Sequence, residues 1–332
     1  MSRYIRQTCL AEFGIEGQNR LKEASVVVVG AGGIGCPVIQ YLAAAGLGTI
    51  GIVDGDIVEE NNLQRQVLYG TSTLGANKAV AAADYIHNLN PHVAVKTYSY
   101  RLTKENGSAI FSKYDFIIDC TDNLETRYLI DECCETLKKA WIYGAIHRYE
   151  AQIAIFNYHG SPTYRHLFPK QNIDKIPDCA ESGVLGVLPG LTGMLQATEC
   201  IKLITGIGEP LVGKLLIFNV LTMHFMTFPF SPDKPKTTSK NECRVYPLSA
   251  KEYRDNAESY LLVDVREANE EPEFPKAKRI PLTELHLRTN ELISNKKIAF
   301  VCRSGNRSQQ AAVLVAKTNR FNQLYAIYEP LY

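Results

Sequence analysis

The run Ser25-Val-Val-Val-Val29, followed at once by Gly30-Ala-Gly-Gly-Ile-Gly35, constrains this chain more than any other stretch. Consecutive β-branched residues favour a buried extended strand, and clustered glycines permit a tight turn. A mostly apolar stretch from Cys36 to Ala45 follows and stops at Gly46, so the local order is strand, glycine turn, helix. Without Cβ atoms at Gly30, Gly32, Gly33 and Gly35 the backbone can approach a phosphate closely, while the helix offers free N–H groups and its positive dipole end. Asp54 lies about 20 residues beyond the last glycine, at the end of a second predicted strand, Thr49–Val53, where a carboxylate can accept from ribose hydroxyls. Up to this point NAD and ATP fit equally well.

Further periodic segments extend the alternation: an alanine-rich helix near Asn77–Leu89, strands at Val93–Tyr98 and Asp115–Asp119, a helix near Leu124–Leu137 and a strand at Trp141–Ala145. Such alternation predicts an α/β fold, a Rossmann-like, mostly parallel sheet with helices on both faces. From Ala151 the pattern becomes mixed or antiparallel, with short runs at Gln152–Tyr158, Lys214–Asn219 and Met223–Phe228 around a long helical stretch from about Leu188 to Thr205. The polar segment from Tyr158 to Gly183 is too long for an ordinary connection and reads as a functional crossing loop. A Pro-, Ser-, Thr- and Lys-rich stretch then marks a linker. The expected organisation is a nucleotide-binding domain over 1–230, a linker over 231–243 and a short α/β domain over 244–332, with strands at Leu261–Val265 and Ile298–Val301 and a helix after Gly305.

A length of 332 residues suits two domains, and a net charge of +1 supplies no global field to recruit nucleic acid or an anionic membrane. Nine cysteines without regular pairing spacing, and an opening Met-Ser-Arg-Tyr with no apolar leader, fit a reducing cytoplasmic compartment. No apolar stretch reaches the roughly 18 residues that a membrane-crossing helix needs. Neither nucleic acid nor a membrane is therefore expected as a partner.

What separates the nucleotides lies downstream. Asn61, Asn62, Gln64, Arg65, Lys78 and Thr121-Asp122-Asn123 add two fixed cations and a carboxylate. Hydride transfer between neutral rings needs no such set. Attack of a carboxylate on the α-phosphorus of ATP does, because cations and Mg²⁺ must shield the triphosphate while charged pyrophosphate departs. Taken singly, Lys78 reads as a solvated helix residue and Asp122-Asn123 as a turn or an N-cap. Only their joint placement argues for adenylation.

Arg3-Tyr-Ile-Arg-Gln7, Gly30–Gly35, Asp54-Gly-Asp56, Asn62-Leu-Gln-Arg-Gln66, Lys78 and Cys120-Thr-Asp-Asn123 together resemble the MoeB/ThiF family. Its members are adenylyltransferases for ubiquitin-like sulfur carriers, related to ubiquitin-activating enzymes, and the similarity runs in order over about residues 3–230. The resemblance implies ATP and Mg²⁺ as cofactors. It places Gly33, Asn62 and Arg65 on the phosphates, Asp54 on the ribose, Lys78 at the β/γ region, Asp122 on Mg²⁺, and Arg6 as an arginine finger in a neighbouring subunit's site. It also implies a homodimer, a carrier ending in Gly-Gly from a molybdopterin, thiamine or tRNA-thiolation pathway, and a sulfur donor such as a cysteine desulfurase.

Two cysteines suit sulfur chemistry. Cys179, in Pro177-Asp-Cys-Ala-Glu-Ser-Gly-Val184 at the end of the crossing loop, matches the family's reactive cysteine. Cys302-Arg-Ser-Gly-Asn-Arg-Ser308 follows an apolar strand and precedes a helix, so its backbone N–H groups, with Arg303, Gly305, Arg307 and Ser308, can surround a thiolate or persulfide. This loop resembles that of rhodaneses, as Val263-Asp-Val-Arg-Glu267 resembles their aspartate–arginine strand. The module is short, lacking the usual Gly-Ala stretch near Pro272–Pro281 and the glycine-rich ending.

Relatives often hold a zinc ion with two Cys-x-x-Cys pairs. At the matching positions stand Thr163-Tyr-Arg-His166 and Cys243-Arg-Val-Tyr246, where only His166 and Cys243 can ligate. Two ligands fall short of a closed tetrahedral site, so no structural zinc is expected. Three other readings stand beside carrier adenylation: an NAD-dependent oxidoreductase, an enzyme adenylating another peptide terminus, and a non-catalytic carrier-binding scaffold.

Overall fold

The computed structural model describes residues 2–169, 183–230, 244–267, 270–271, 274–292, 295–303, 305–316, 321, 323–328 and 331. The chain divides into two compact units, Met1–Pro232 and Asp233–Tyr332. Cys179 and the expected linker 231–243 lie outside the described residues.

In the first unit α1 (Ile5–Thr8) and α2 (Gly14–Glu23) precede β1 (Ser25–Val29), α3 (Gly35–Ala45), β2 (Thr49–Val53), α4 (Lys78–Leu89) and β3 (Ala94–Tyr98). Then come α5 (Lys104–Phe111), β4 (Phe116–Asp119), α6 (Leu124–Leu137), β5 (Ala140–His147), β6 (Glu150–Phe156), α7 (Tyr164–Leu167), α8 (Val187–Thr205), β7 (Lys214–Asn219) and β8 (His224–Pro229). The sheet order is β3-β2-β1-β4-β5-β6-β7-β8. Its first five strands run parallel and β5 through β8 pair antiparallel, which is the expected fold class.

The four valines of β1 are buried on alternate faces. Val26 and Val28 pack with Val38, Ile39 and Leu42 of α3, whereas Val27 and Val29 pack with Phe111, Tyr128 and Trp141. A strand covered by helices on both sides needs apolar residues at every position, and each fully buried valine contributes roughly 1.5–3 kcal/mol. This burial puts the C-terminal ends of β1, β2 and β4 side by side, where crevices form in open parallel sheets.

In the second unit β9 (Arg244–Leu248), α9 (Ala250–Asp255), β10 (Tyr260–Asp264), β11 (Lys278–Arg279), β12 (Lys297–Val301), α10 (Asn306–Ala316) and β13 (Gln323–Ile327) form a parallel sheet of order β11-β10-β12-β13-β9. Val263, Phe300 and Leu324 face one core, and Leu262, Ala299 and Ile327 face the other.

Candidate nucleotide and sulfur sites

Gly30 takes φ +92°, and a Cβ there would lie 2.8 Å from the carbonyl oxygen of Cys120; one at Gly35 would lie 2.0 Å from the carbonyl oxygen of Gly30. The turn between β1 and α3 is thus closed so tightly that glycine is required at both ends. Asp54 braces it from the neighbouring strand end: Oδ2 accepts from the Ala31 N–H at 2.7 Å and Oδ1 from the Asp56 N–H at 2.9 Å. Burial nonetheless pushes the Asp54 carboxyl above the usual carboxylate range. The residue expected to meet a ribose therefore also organises the phosphate turn. Tyr69, which sequence reasoning missed, joins the same turn, its hydroxyl 2.8 Å from Ala31 O and 3.2 Å from Lys78 O.

Lys78 opens α4 with only 7% of its surface exposed, which overturns its reading as a solvated helix residue. Its Nζ lies 3.7 Å from Asp56 Oδ2, while Asn77 caps the helix by accepting from the Val80 N–H at 3.2 Å. Between β2 and α4, Asn62 Nδ2 donates to the Asn61 side-chain oxygen and Arg65 donates to Asn61 O at 3.0 Å. Asn62 and Gln66 are buried, yet Asn62 Oδ1 and Gln66 Oε1 have no hydrogen-bond partner among the described residues. Buried amide oxygens are rarely left unpaired, so two beside a glycine turn are candidate acceptors for a ligand's hydroxyl or a metal ion. Gln66 Nε2 lies 3.7 Å from where a Gly32 Cβ would stand, and a Gly33 Cβ would press on Pro189 of α8 at 3.1 Å and on Arg65 at 3.4 Å. The amide of Gln64 abuts Gly186, just before α8. The turn, the 61–66 segment, Lys78 and the start of α8 are thus one constellation, in which the turn's backbone N–H groups, Arg65 and Lys78 suit phosphates while the Asn62 and Gln66 oxygens suit a hydroxyl donor or a metal ion.

The other wall is the end of β4. Asp122 is exposed and makes no hydrogen bond or ion pair among the described residues. Asn123 caps α6, its Oδ1 accepting from the Thr126 N–H at 2.9 Å, so its side-chain oxygen does the helix-capping job. Asp119 and Arg127, also absent from the sequence-based site, are buried behind this turn. Burial pushes the Asp119 carboxyl up, against the lowering pull of the Arg127 guanidinium.

Arg6 is not brought to this constellation. The arm that carries it is pinned at the opposite end of α3: Tyr4 packs on Gly46, and Gln7 Nε2 donates to Ala45 O at 2.8 Å. The 11 residues of α3 put that end about 16 Å from the glycine turn. Arg6 is exposed and makes no hydrogen bond or ion pair among the described residues.

In the second unit Cys302 directly follows β12 with none of its surface exposed. Its sulfur accepts from the Ser308 N–H at 3.4 Å and donates to Ser308 Oγ at 3.7 Å. Gly305, at φ +84°, lets the loop pass Tyr328, whose carbonyl oxygen would lie 2.6 Å from a Cβ. Arg307 was expected to favour the sulfur anion, but it forms a two-pronged pair with Glu270, whose carboxyl that guanidinium lowers to about 2. Arg303 is exposed. Asp264 and Arg266 form a buried pair, with Nε to Oδ1 at 2.9 Å and Nη2 to Oδ2 at 2.8 Å, and Arg266 lies over the Phe274 ring at 4.1 Å.

At the positions matched to a zinc clasp, the described side chains are engaged locally. Thr163 Oγ1 lies 2.7 Å from His166 Nδ1, closing a capping box around α7, and Tyr164 sits among Trp141, Tyr143, Phe156 and Phe168. Arg165 reaches Asp131 and Glu132 at 3.4 Å and Glu135 at 3.7 Å, while the Tyr164 N–H donates to Asp131 Oδ1 at 2.9 Å. Tyr246 is part of β9, stacked on Tyr325. Cys243 lies outside the described residues, among which no group of three or more His, Cys, Asp or Glu is placed to hold a metal. The side chains at 163–166 and at 246 do not fit a zinc clasp.

A model of the ThiF family matches residues 4–245, and a model of the rhodanese-like domain matches residues 249–329. The sulfur carrier protein adenylyltransferase of Thermus thermophilus is 48% identical over 231 residues, which are 68% of this chain and 85% of that protein. The adenylyltransferase and sulfurtransferase MOCS3-1 of Zea mays is 37% identical, covering 94% of this chain and 77% of its own. Mycobacterium tuberculosis MoeZ, a probable adenylyltransferase/sulfurtransferase, is also 37% identical and covers 96% of this chain and 88% of its own. Among solved structures, Escherichia coli MccB with ATP superposes with a TM-score of 0.60 over 71% of this chain and 74% of that one, at 23% identity, a likeness of fold.

Proposed function

Because this chain belongs to the ThiF family and carries a rhodanese-like domain, we propose that its first unit adenylates the C-terminal glycine of a ubiquitin-like sulfur carrier and its second delivers sulfur to the activated carboxyl. It is an ATP-using adenylyltransferase with a sulfurtransferase-type module. The observation that carries the assignment of its site is the buried Lys78 beside the tight Gly30–Gly35 turn, with Asn62 Oδ1 and Gln66 Oε1 unpaired among the described residues as acceptors for a hydroxyl or a metal ion.

In this reading the Gly30–Gly35 turn and the N-terminus of α3 receive the phosphates, Arg65 and Lys78 neutralise charge on the departing pyrophosphate, and Asp54 accepts from the ribose. Asp122 is the carboxylate that would hold Mg²⁺, which supplies charge shielding of the triphosphate when bound. A carrier carboxylate oxygen attacks the α-phosphorus, the bond from that phosphorus to the bridging oxygen breaks, and pyrophosphate leaves. A persulfide on Cys302 then attacks the acyl carbon with its outer sulfur and AMP departs. A second thiol, for which Cys179 is the family's counterpart, attacks the Cys302 sulfur, freeing the thiocarboxylate and leaving a disulfide for an external reductant.

Arg6, held about 16 Å of helix away from its own glycine turn, serves the site of a second copy. Mixing Arg6→Ala and Lys78→Met proteins should therefore restore activity, because one site of the mixed dimer keeps both groups; no gain on mixing refutes the trans assignment. The activity itself is tested by ATP–pyrophosphate exchange. Exchange that requires a Gly-Gly-ended carrier is expected, and exchange with unrelated peptides, or none across several carriers, overturns the reading.

A further inference from the structure

Asp122 is exposed and, among the described residues, has no hydrogen bond or ion pair to aim it, yet a carboxylate that meets a metal–triphosphate must be held to a fraction of an ångström. The residue before it is held at every polar atom. Thr121 N–H donates to Asp119 Oδ1 at 2.9 Å, and Thr121 Oγ1 lies 2.6 Å from that same oxygen. The Arg127 guanidinium donates to Thr121 O at 2.8 Å, and its Nε lies 3.4 Å from Asp119 Oδ2. Gln196 of α8 fixes the strand end from behind, Nε2 donating to Asp119 O at 2.8 Å and lying 3.3 Å from Ile142 O. Gly144 leaves the room for it, since a Cβ there would meet Gln196 Nε2 at 2.5 Å.

Asp119 and Arg127 are almost wholly buried, and an ion pair taken out of water is weak support for stability, because a well-packed apolar pair often serves as well or better. Apolar residues of the same volume, however, offer nothing to the backbone and hydroxyl of Thr121. The pair is explained by what it grips. Arg127 also lies 5.5 Å from the centroid of the Tyr143 ring, so its guanidinium is fixed from β5 as well as from β4.

We propose that Asp119 and Arg127 are positioning residues, a buried clamp that fixes the Thr121 backbone and so presents the Asp122 carboxylate to the metal ion of the nucleotide. The proposal rests on the assignment of Asp122 made above. Gln196 extends the clamp to α8, whose Pro189 borders Gly33, so both walls of the nucleotide recess are referenced to one helix.

The test is ATP affinity by calorimetry with and without Mg²⁺, alongside Tm, for Asp119→Asn, Arg127→Met, the double variant and Asp122→Asn. Asp119→Asn and Arg127→Met should each leave metal-free ATP affinity within about twofold and cut the strengthening by Mg²⁺ by about tenfold or more, the scale seen for residues that orient metal ligands. Each leaves one buried charge uncompensated and should lower Tm; the double variant removes both charges, so its Tm should recover while its Mg²⁺ response does not. That separation of stability from metal response is what a merely structural pair would not show. An unchanged Mg²⁺ response in the double variant, with Asp122→Asn abolishing it, overturns the clamp alone. If Asp122→Asn keeps the full response, the assignment of Asp122 falls and the clamp with it.

Discussion

Two strand–loop–helix junctions in this chain, Val29 to Gly35 and Val301 to Ser308, place a helix N-terminus behind a tight loop that depends on glycine. At the first, polar groups stand uncommitted among the described residues: the Asn62 and Gln66 oxygens lack partners and the Lys78 side chain has one long contact, to Asp56. At the second they are committed. Cys302 is sealed against Ser308, and Arg307 is tied to Glu270. A helix dipole and free N–H groups are common to both, so they do not determine which junction is ready for an anion. The commitment of the surrounding cations does; the unpaired amide oxygens are acceptors and suit a hydroxyl donor or a metal ion instead.

The sharpest way to break this contrast is to disarm each junction. Lys78→Met should lower carrier-dependent pyrophosphate exchange by about 10²–10³-fold, the scale for removing one preorganised group facing developing charge. A loss under tenfold would show that Lys78 is only a buried helix residue. Cys302→Ala should abolish thiocarboxylate formation and the persulfide adduct on the second unit, read by mass spectrometry after treatment with a sulfur donor. Survival of the adduct on that unit would move the sulfur chemistry to another cysteine.

Sealing should also be visible in the unmodified protein. Exposed Cys9 should alkylate at least about tenfold faster than buried Cys302, by peptide mapping over time. Equal rates would mean that the 302–308 loop stands open in solution. The smallest effect concerns Glu270. Its carboxyl is lowered to about 2 by Arg307, so the pair's contribution is present above the usual carboxylate range, near 4.5, and fades as pH falls toward 2. Glu270→Gln should cost the second unit a few degrees of Tm or less at pH 7 and nothing near pH 2. A difference that persists at pH 2 would point to packing instead of charge.

Much of the first junction was legible from residues alone. Thr49–Val53, Leu124–Leu137 and Lys214–Asn219 are elements with the expected bounds, because strong periodicity coincides there with clear end signals, such as Asn123 before α6. α2 and α5 went unread for a local reason. α2 opens on Gly14 and contains Gly17, and α5 contains Asn106-Gly107, all residues that ordinarily argue against a helix interior. β9 carries Pro247 and is tolerated as a strand because it is the sheet edge, where one side needs no ladder partner.

The family and the reaction class were already in the sequence, since a glycine turn, its flanking strand and helix, and the spaced cations are local or ordered features that a one-dimensional pattern preserves. Only the tertiary structure decided which polar groups are committed. Lys78 proved buried, Asp54 a brace of the turn, and Arg307 the partner of a carboxylate 37 residues away. It also showed Asp119, Arg127 and Gln196 gripping the residue before Asp122. Hydrogen-bond partnership across such separations depends on how strands and helices stack in space, and no local spacing records it.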